Sequence, residues 1–307
     1  MSAALLVPCY HAVRYLPRLR VQVDRLAPAF DEVILADDGS TDATADEAER
    51  LGFRVIRLPA NLGPGGARNA LAAASCSEWI HFHDVDDELA PDFLAHVLPL
   101  ADAGCDAVLH ETDFIDEQTR ALLVRWSLDP AALARDPAEA LLRQPLPTMS
   151  SFLRRTVFLA LGGFHTGRRC FEDGDLHFRL AAGGARLRPL PRVLEWSLRH
   201  KRGAGADQCY CFQCRLCFLE DYAALHPARL HPAIAAEAEH AAVQLLQLGD
   251  PAGARRAIAL ARALGRPVPF SHHPLIRVLR RFLPATLLLR WQHRWRRRAR
   301  PAALRGV

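Results

Sequence analysis

Short apolar runs alternate with amphipathic or turn-rich connections through the first two-thirds of the chain, and this alternation constrains the fold more than any other feature. The alternation predicts an α/β fold whose mostly parallel sheet is covered by helices. Ligands bind such sheets beyond the carboxyl ends of the strands, so functional residues are expected directly after each run. The predicted strands are residues 4–7, 32–36, 54–58, 79–83 and 107–111, and helical periodicity occupies residues 19–26 and 41–51.

The strand signals stop near residue 203, and helical patterns follow. Residues 231–248 and 251–264 predict a helical hairpin, which we interpret as an appendage packed on the sheet domain. The apolar stretch 209–224 lacks Gly and Pro and also predicts a helix. It carries Cys209, Cys211, Cys214 and Cys217, which we interpret as structural thiols, with metal binding left open. We expect a catalytic domain over residues 1–202, a helical extension over 203–270 and a basic amphipathic tail over 271–307.

Composition restricts the expected cellular location of the protein and the partners it can bind. The 307 residues are 50% hydrophobic and 24% charged, which is usual for a folded soluble protein. No apolar run reaches the roughly 18 residues of a membrane span, and the N-terminal MSAALLVPCY shows neither a basic leader nor a cleavage site. These features predict a cytoplasmic protein. The net charge of +5 comes with arginine-rich, nearly lysine-free usage, and it supports no nucleic-acid partner.

The first two predicted strands end in residues suited to a nucleotide. Pro8-Cys9-Tyr10 follows the first strand, and Asp37-Asp38-Gly39-Ser40 follows the second. The ring of Tyr10 offers a stacking face for a base, and a strand-end carboxylate can accept the N–H of uracil or a ribose hydroxyl. The two segments together predict a nucleotide pocket.

A glycine-rich segment from Asn61 to Asn69 follows the third strand and enters a helix. Glycines such as Gly63 allow close backbone approach, and Arg68 is suited to contact phosphate oxygens. The segment is therefore a candidate neighbour of a pyrophosphate, although a plain structural turn has the same composition.

Acidic residues are densest directly after the fourth strand, at Asp84, Asp86 and Asp87. Three carboxylates at one strand end repel one another, and a hard divalent ion relieves that repulsion. Mn²⁺ and Mg²⁺ prefer such oxygen ligands and keep positions open for substrate phosphates. A solvated acidic turn is the alternative interpretation.

A second acidic pair, Glu172-Asp173, opens a predicted helix far along the chain. A carboxylate there is suited to act as a general base facing the metal site. Acidic residues also stabilise a helix N-terminus by complementing the helix dipole, so the pair alone does not establish catalysis.

These segments, in this order and spacing, resemble the family-2 inverting glycosyltransferases of the GT-A fold, over roughly the first 200 residues. The resemblance implies that Tyr10 and Asp38 bind the nucleoside. It also implies that Asp84 and Asp86 hold the ribose and the metal, with Asp87 adjacent, and that Asp173, beside Glu172, is the base. His200 matches a histidine that often joins the metal or the pyrophosphate in that family.

The chain departs from the family pattern at two places. His11 stands where the family usually has Asn, and Lys201-Arg202-Gly203-Ala204 replaces a common Pro-Gly-Ser turn. We assign no role to His11.

The reaction that the resemblance implies is a single displacement at an anomeric carbon. Asp173 takes the proton of an acceptor hydroxyl, while a Mn²⁺ or Mg²⁺ ion stabilises the departing diphosphate. No second carboxylate is needed to protonate that leaving group, in contrast to glycoside hydrolysis. A UDP-sugar is the expected donor by family habit, and the expected acceptor is a glycan or lipid-linked hydroxyl used in cell-surface polysaccharide or glycolipid synthesis.

Two other functions are compatible with parts of the sequence. His81 and His83 lie two apart on a strand and could share a metal with Asp86, with His110 as a further candidate, in a metallohydrolase. A non-catalytic scaffold at a membrane surface is the second alternative, and it is disfavoured while Asp86 and Asp173 are both present.

Residues 274–300 combine apolar side chains with clustered arginines. Trp291 and Trp295 lie four apart, a spacing suited to a headgroup interface, and Pro284 and the charges argue against a membrane span. The segment predicts an interfacial helix on an anionic membrane surface, here the inner face of the cytoplasmic membrane. A docked C-terminal helix with solvated arginines is the alternative.

Overall fold

The structure is a computed structural model that describes residues 1–199, 207–225, 227–271 and 273–299, with side chains described up to residue 294. The chain divides into two compact units, Met1–Gly203 and Ala204–Val307. The predicted division of the C-terminal part at residue 270 stays a prediction.

The first unit is built on one nine-stranded sheet in the part of the chain that the structure describes. Its strands are β1 (Ala3–Cys9), β2 (Glu32–Asp37), β3 (Arg54–Arg57), β4 (Trp79–Phe82), β5 (Glu88–Leu89), β6 (Ala107–Asp116), β7 (Leu122–Trp126), β8 (Ser151–Arg154) and β9 (Leu187–Arg199). Its helices are α1 (Leu16–Asp24), α2 (Thr44–Arg50), α3 (Gly63–Ala74), α4 (Phe93–Val97), α5 (Pro130–Arg135), α6 (Pro137–Arg143), α7 (Arg155–Ala160) and α8 (Glu172–Ala182).

The sheet runs in the order β3-β2-β1-β4-β8-β6-β9-β5, with β7 paired to β6. The four strands β3, β2, β1 and β4 are parallel, as βαβ connections require. Strand β8 is antiparallel to both β4 and β6, whereas β6 and β9 are parallel. The α/β fold class predicted from the sequence is confirmed, as a mixed sheet with a parallel half.

All five predicted strands are present, but the sequence did not predict β5, β7, β8 or β9. Strand β9 contains Pro189 and Pro191, residues that normally argue against a strand because proline cannot donate a ladder hydrogen bond. Register shifts beside His110 and Glu111 accommodate this part of β9 against β6. The shape of β9 therefore depends on its partner strand rather than on its own sequence pattern.

A hydrophobic core lies under the helices of this unit. Leu16, Leu19 and Val23 recur at helical spacing on α1 and are buried against the sheet. Within the sheet, the rings of Trp79 and Phe152 stack 5.1 Å apart across β4 and β8. This packing fixes the strand ends on which the candidate site is built.

The second unit is helical, as predicted. Its helices are α9 (Gln208–Leu225), α10 (His231–Gln247), α11 (Pro251–Ala263), α12 (Pro274–Leu279) and α13 (Ala285–Ala299). The α10–α11 hairpin packs through small residues, and Asp250 caps α11 by accepting a hydrogen bond from the Gly253 N–H at 2.8 Å. None of the described helices is long and apolar enough to span a bilayer.

The cysteine-rich stretch is helical, as expected, because it lies within α9. Cys209, Cys214 and Cys217 are not disulfide-bonded, whereas Cys211 is, so the prediction of thiols is wrong for Cys211. These cysteines are not among the side chains that could share a metal ion in the described part of the chain.

Candidate active site

The carboxyl ends of β1, β2 and β4 meet at one edge of the sheet, because these strands are parallel neighbours. Cys9 lies at the end of β1, and the pKa of its thiol is sensitive to the carboxylates at this edge. Burial, followed by the charges of Asp37, Asp84 and Asp86, raises the pKa of its thiol. The structure therefore brings two of the predicted acidic motifs, 46 or more residues apart in sequence, around the end of a third strand.

Tyr10 is half exposed directly after β1, and its ring stacks on that of His11 at 4.1 Å. His11 adopts a φ of 49°, and its backbone N–H donates to the Ser40 hydroxyl at 3.0 Å. Its ring Nε2 accepts the backbone N–H of Thr41 at 3.2 Å. His11, to which the sequence assigned no role, thus ties Tyr10 to the loop after β2.

The two carboxylates that end β2 have different surroundings. Asp38 accepts the backbone N–H groups of Leu62 at 2.7 Å and Gly63 at 3.0 Å, so it holds the start of α3. Asp37 is buried, and its Oδ1 has no hydrogen-bond partner among the described residues. An acceptor left unsatisfied in a buried position is costly unless a ligand completes it.

The glycine-rich segment forms the first turns of α3 rather than a long loop. The side chain of Asn61, which precedes the helix, accepts the Gly63 N–H at 3.2 Å, and Gly63 has a φ of 77°, which favours glycine. Gly39 packs against the same segment, where a Cβ would lie 2.8 Å from the carbonyl carbon of Ala60. Pro8 lies half-buried in β1.

Arg68 extends from α3 into the middle of the site and is almost fully buried. Its Nη2 donates to Asp84 Oδ1 at 2.7 Å, and its Nη1 donates to Glu172 Oε1 at 3.1 Å. Burial alone would raise the pKa of Asp84, but the charge and hydrogen bond of Arg68 hold it below its usual value. The sequence predicted a phosphate contact for Arg68, and the structure shows it linking two carboxylates from distant motifs.

Asp173 and Glu172 open α8 but differ in environment. Glu172 is buried and engaged by Arg68. Asp173 is half-buried, and its Oδ1 accepts the backbone N–H of Gly174 at 2.7 Å. Burial and then the charge of Glu172 raise the pKa of Asp173 to about 7. A carboxylate with a pKa near neutrality is suited to accept a proton.

Further ion pairs hold α8 in place, and the sequence did not single them out. Asp175 is fully buried and pairs with Arg168 at 3.1 Å and Arg179 at 2.7 Å. Arg179 also donates to the carbonyls of Leu161 and Gly163. Asp175 therefore fixes the loop that precedes α8, and no local sequence signal distinguishes it from other helix-opening acids.

The three aspartates after β4 do not share one environment. Asp86 is half-buried, and its carbonyl accepts a hydrogen bond from Arg18. Asp87 is buried, and its Oδ1 accepts the Leu198 N–H of β9 at 2.8 Å. Burial, followed by the charges of Asp84 and Asp86, raises the pKa of Asp87 well above its usual range. Asp87 thus supports β9, and we leave it out of the proposed metal ligands.

The donor set at this edge fits a hard divalent cation. Asp84 and Asp86 offer carboxylate oxygens, and their charges act together on both Cys9 and Asp87. Oxygen ligands with accumulated negative charge are the chemistry that Mn²⁺ and Mg²⁺ prefer. His200, the third residue predicted to join the metal, lies outside the described residues.

The predicted histidine pair, His81 and His83, lies in the interior. Both are fully buried, and both contact Glu195 of β9, at 3.0 Å and 2.6 Å. No substrate can reach buried side chains of this kind, so the structure argues against a hydrolase built on them. Glu195 was not recognised in the sequence, because a single glutamate 112 or more residues away carries no local signal.

Comparison with known proteins identifies the family of this chain. Residues 4–165 match the model for glycosyl transferase family 2. Because that match covers more than half of the chain, the protein belongs to this family. The family and its GT-A fold, which the sequence motifs predicted, are thereby confirmed.

Two relatives take part in succinoglycan biosynthesis in Rhizobium meliloti (strain 1021). The protein ExoO is 34% identical over 130 residues, which cover 41% of this chain and 34% of ExoO. The protein ExoU is 30% identical over 179 residues, which cover 52% of each chain. The chain therefore matches about a third to a half of the length of these relatives.

Solved structures with the same fold extend over more of the chain. S. aureus TarS 1–349 superposes with a TM-score of 0.59 at 18% identity, covering 86% of this chain and 88% of TarS 1–349. The mannosyltransferase PcManGT from Pyrobaculum calidifontis, in complex with GDP-Man and Mn²⁺, superposes with a TM-score of 0.60 at 20% identity. That match covers 95% of this chain and 79% of PcManGT. At these identities the likeness establishes the fold.

Proposed function

We propose that this protein transfers a sugar, with inversion, from a nucleotide-diphosphate sugar to an acceptor hydroxyl. The observation that carries the proposal is the position of Arg68 between Asp84 and the Glu172-Asp173 pair. Asp84 belongs to the motif expected to hold the donor, and Asp173 is the expected base. A buried guanidinium that bonds both motifs fixes their separation, which a displacement between donor and acceptor requires.

Asp173 acts as the general base in this mechanism. Its neighbour Glu172 is already paired with Arg68, so Asp173 is the carboxylate left to approach an acceptor. Asp173 takes the proton from the acceptor hydroxyl as the oxygen attacks the anomeric carbon. The bond from that carbon to the diphosphate breaks on the opposite side, which inverts the configuration.

Asp86 is the proposed holder of a Mn²⁺ or Mg²⁺ ion, and Asp84 beside it is proposed to bind the donor. Such an ion supplies Lewis-acid stabilisation of charge on a departing diphosphate. Arg68 keeps Asp84 ionised in this arrangement, because it holds the pKa of Asp84 low. His200 remains a proposed additional ligand.

The nucleoside is proposed to bind between Tyr10 and the end of β2. One half of Tyr10 is exposed for stacking, and the unpartnered Oδ1 of Asp37 can accept a donor from a base or a ribose. Each carboxylate oxygen of Asp38 already accepts one backbone N–H at the start of α3, which leaves each oxygen one lone pair for a ligand. We favour a UDP-sugar, and TarS has been solved in complex with UDP.

The decisive experiment is a donor screen that measures nucleotide release with Mn²⁺ present. Transfer from one nucleotide-sugar class, with the product's anomeric configuration read by NMR, supports the proposal. The Asp173→Asn variant is the matched control, because it should bind the same donor without transfer. Release that is equally fast in wild type and in Asp173→Asn would contradict the assigned chemistry.

We further propose a place for the enzyme in cell-surface polysaccharide synthesis on the cytoplasmic side of the membrane, with a glycan or lipid-linked acceptor. The relatives in succinoglycan biosynthesis support this assignment. The tail supports peripheral attachment, since Leu275, Val278, Phe282, Leu287 and Trp291 are all exposed. Leu288 and Leu289 on the same helix are buried, so α13 is docked by one side and leaves apolar side chains on another.

A further inference from the structure

Beneath the candidate active site, side chains from three strands converge in a fully buried polar cluster. His81 of β4, His110 of β6 and Glu195 of β9 each place one possible ligand atom within 4.8 Å of the others. None of the three side chains is exposed to solvent. This cluster is separate from the carboxylates of Asp84 and Asp86, which we assign to the active site.

The hydrogen bonds around His81 fix its tautomer. Its Nδ1 lies 3.0 Å from the carbonyl oxygen of Ser151. A carbonyl can only accept, so Nδ1 carries the proton and Nε2 presents a lone pair. That lone pair points at Glu195 Oε2, at 3.0 Å. Two acceptors at this distance require either a shared proton or a cation between them.

The same reasoning applies to His110. Its Nδ1 lies 3.1 Å from the carbonyl oxygen of Glu111 and therefore carries the proton. Its Nε2 is buried and has no hydrogen-bond partner among the described residues. A buried nitrogen lone pair without a partner is costly, and His110 belongs to the same cluster.

The surroundings orient Glu195 as well. Its Oε1 lies 2.6 Å from His83 Nδ1. The amide of Gln22 is oriented by the Leu89 N–H, which donates to its Oε1, so its Nε2 donates to His83 Nε2 at 2.8 Å. His83 must then donate from Nδ1 to Glu195. Such outer hydrogen bonds, which set the tautomers and the direction of the ligands, are characteristic of protein metal sites.

We propose that His81 Nε2, His110 Nε2 and a Glu195 carboxylate oxygen form a structural site for a borderline divalent ion, Zn²⁺ by preference. Two imidazoles and one carboxylate suit Zn²⁺ better than Mn²⁺ or Mg²⁺. Bonds of about 2.0–2.2 Å would close the cluster with side-chain shifts of under about an ångström. Because the site is buried against the ring of Phe93, its role is to join β4, β6 and β9, not to catalyse.

Burial shifts the pKa values of all three side chains of the cluster. Burial lowers the pKa of His81 to about 4 and that of His110 to about 3, so both imidazoles are neutral and able to bind a metal at pH 7. Burial raises the pKa of Glu195 to about 7, and the charges of His83 and Arg68 offset this rise only in part. The alternative occupant is a single proton on Glu195, donated to His81.

The Glu195→Gln variant separates these two occupants. Its side-chain amide can donate to His81 Nε2 and accept from His83 Nδ1, so it keeps the hydrogen bonds of a protonated glutamate but removes the anionic ligand. The second variant is His110→Phe, which removes the unpartnered nitrogen and preserves an aromatic ring beside Phe93. Asp86→Ala is the control, since it affects only the proposed active-site metal.

The measurement is the zinc content of untagged, full-length protein, by mass spectrometry after dialysis against excess Mn²⁺, together with the visible spectrum of protein loaded with Co²⁺. We expect about one ion per chain in wild type and in Asp86→Ala, and less than about a tenth of that in Glu195→Gln and His110→Phe. A wild-type chain that holds no Zn²⁺ or Co²⁺, both as purified and after refolding with either ion, would overturn the proposal. Equal zinc content in all four proteins would overturn it as well.

Discussion

Arg68 and Asp84 form a hydrogen-bonded ion pair of 2.7 Å that joins the middle of α3 to the segment that follows β4. The other guanidinium nitrogen reaches Glu172 on α8, so one side chain connects three segments of the site. Such a buried cation keeps its carboxylate partners ionised and in place.

Replacement of Arg68 by Met should damage both stability and catalysis. The change leaves two carboxylates without their cation, and we expect a loss of about 2–3 kcal/mol, moderated because the Asp84 side chain is 32% exposed. The pKa of Asp173 should rise further, because Arg68 is among the charges that lower it. Thermal unfolding and the pH dependence of transfer measure the two effects. Arg68→Lys, which keeps the charge, should lie between wild type and Arg68→Met.

Asp86→Ala should abolish metal-dependent turnover while leaving the fold intact, because it removes a half-buried carboxylate from a strand end. Asp84→Ala should mainly weaken donor binding. Titration of activity with Mn²⁺ and of binding with nucleotide separates the two roles. Wild-type turnover with an unchanged Mn²⁺ dependence in Asp86→Ala would remove Asp86 from the site.

Asp173→Asn should lower transfer by a factor of about 10² to 10⁴ while donor affinity survives, because asparagine keeps the size of the side chain but cannot accept the proton. Glu172→Gln is the matched control, and we expect a loss of about tenfold or less, since Glu172 is held by Arg68. Single-turnover rates and donor binding are the measurements. The opposite ranking of the two variants would assign the base to Glu172.

The kcat/KM of sugar transfer should rise with pH below neutrality. Asp173 must be ionised to accept a proton, and burial together with the charge of Glu172 raises its pKa to about 7. Below that pH the base is protonated, and kcat/KM should fall about tenfold per pH unit. Glu172→Gln should move this limb to lower pH, because it removes one cause of the raised pKa. If the acid-side fall of kcat/KM occurs at the same pH in Glu172→Gln as in wild type, the group that titrates is not Asp173.

Truncation before His272 should abolish binding to anionic liposomes at low salt. Each arginine near an anionic leaflet contributes roughly 1 kcal/mol before screening, so binding of the full chain should weaken at high salt. Flotation of both forms in low and high salt is the measurement. Trp291→Ser tests the apolar contribution, with Leu225→Ser, an exposed apolar residue of α9, as the control. A full-length protein that does not float at low salt would contradict membrane attachment.

The site could be predicted from the sequence to the extent that its residues follow strand ends. Tyr10, Asp38, Asp84 and Asp173 each lie at the boundary of a strand or helix, where local periodicity changes and motifs are recognisable. The residues that form ion pairs and hydrogen bonds with them could not be predicted. Arg68 lies 104 residues from Glu172, and nothing in either local pattern encodes their contact.

The sequence by itself determined the α/β class, the five strands read from apolar runs and the family to which the chain belongs. These properties depend on side-chain periodicity and on short motifs, which are local. Only the tertiary structure decided that β8 runs antiparallel between β4 and β6, that Asp87 supports β9, and that Glu195 reaches His81 and His83. Contacts of this kind arise from strand pairing and burial between segments that are distant in sequence. The side-chain packing that stabilises them forms only when the strands pair, so no local pattern predicts them.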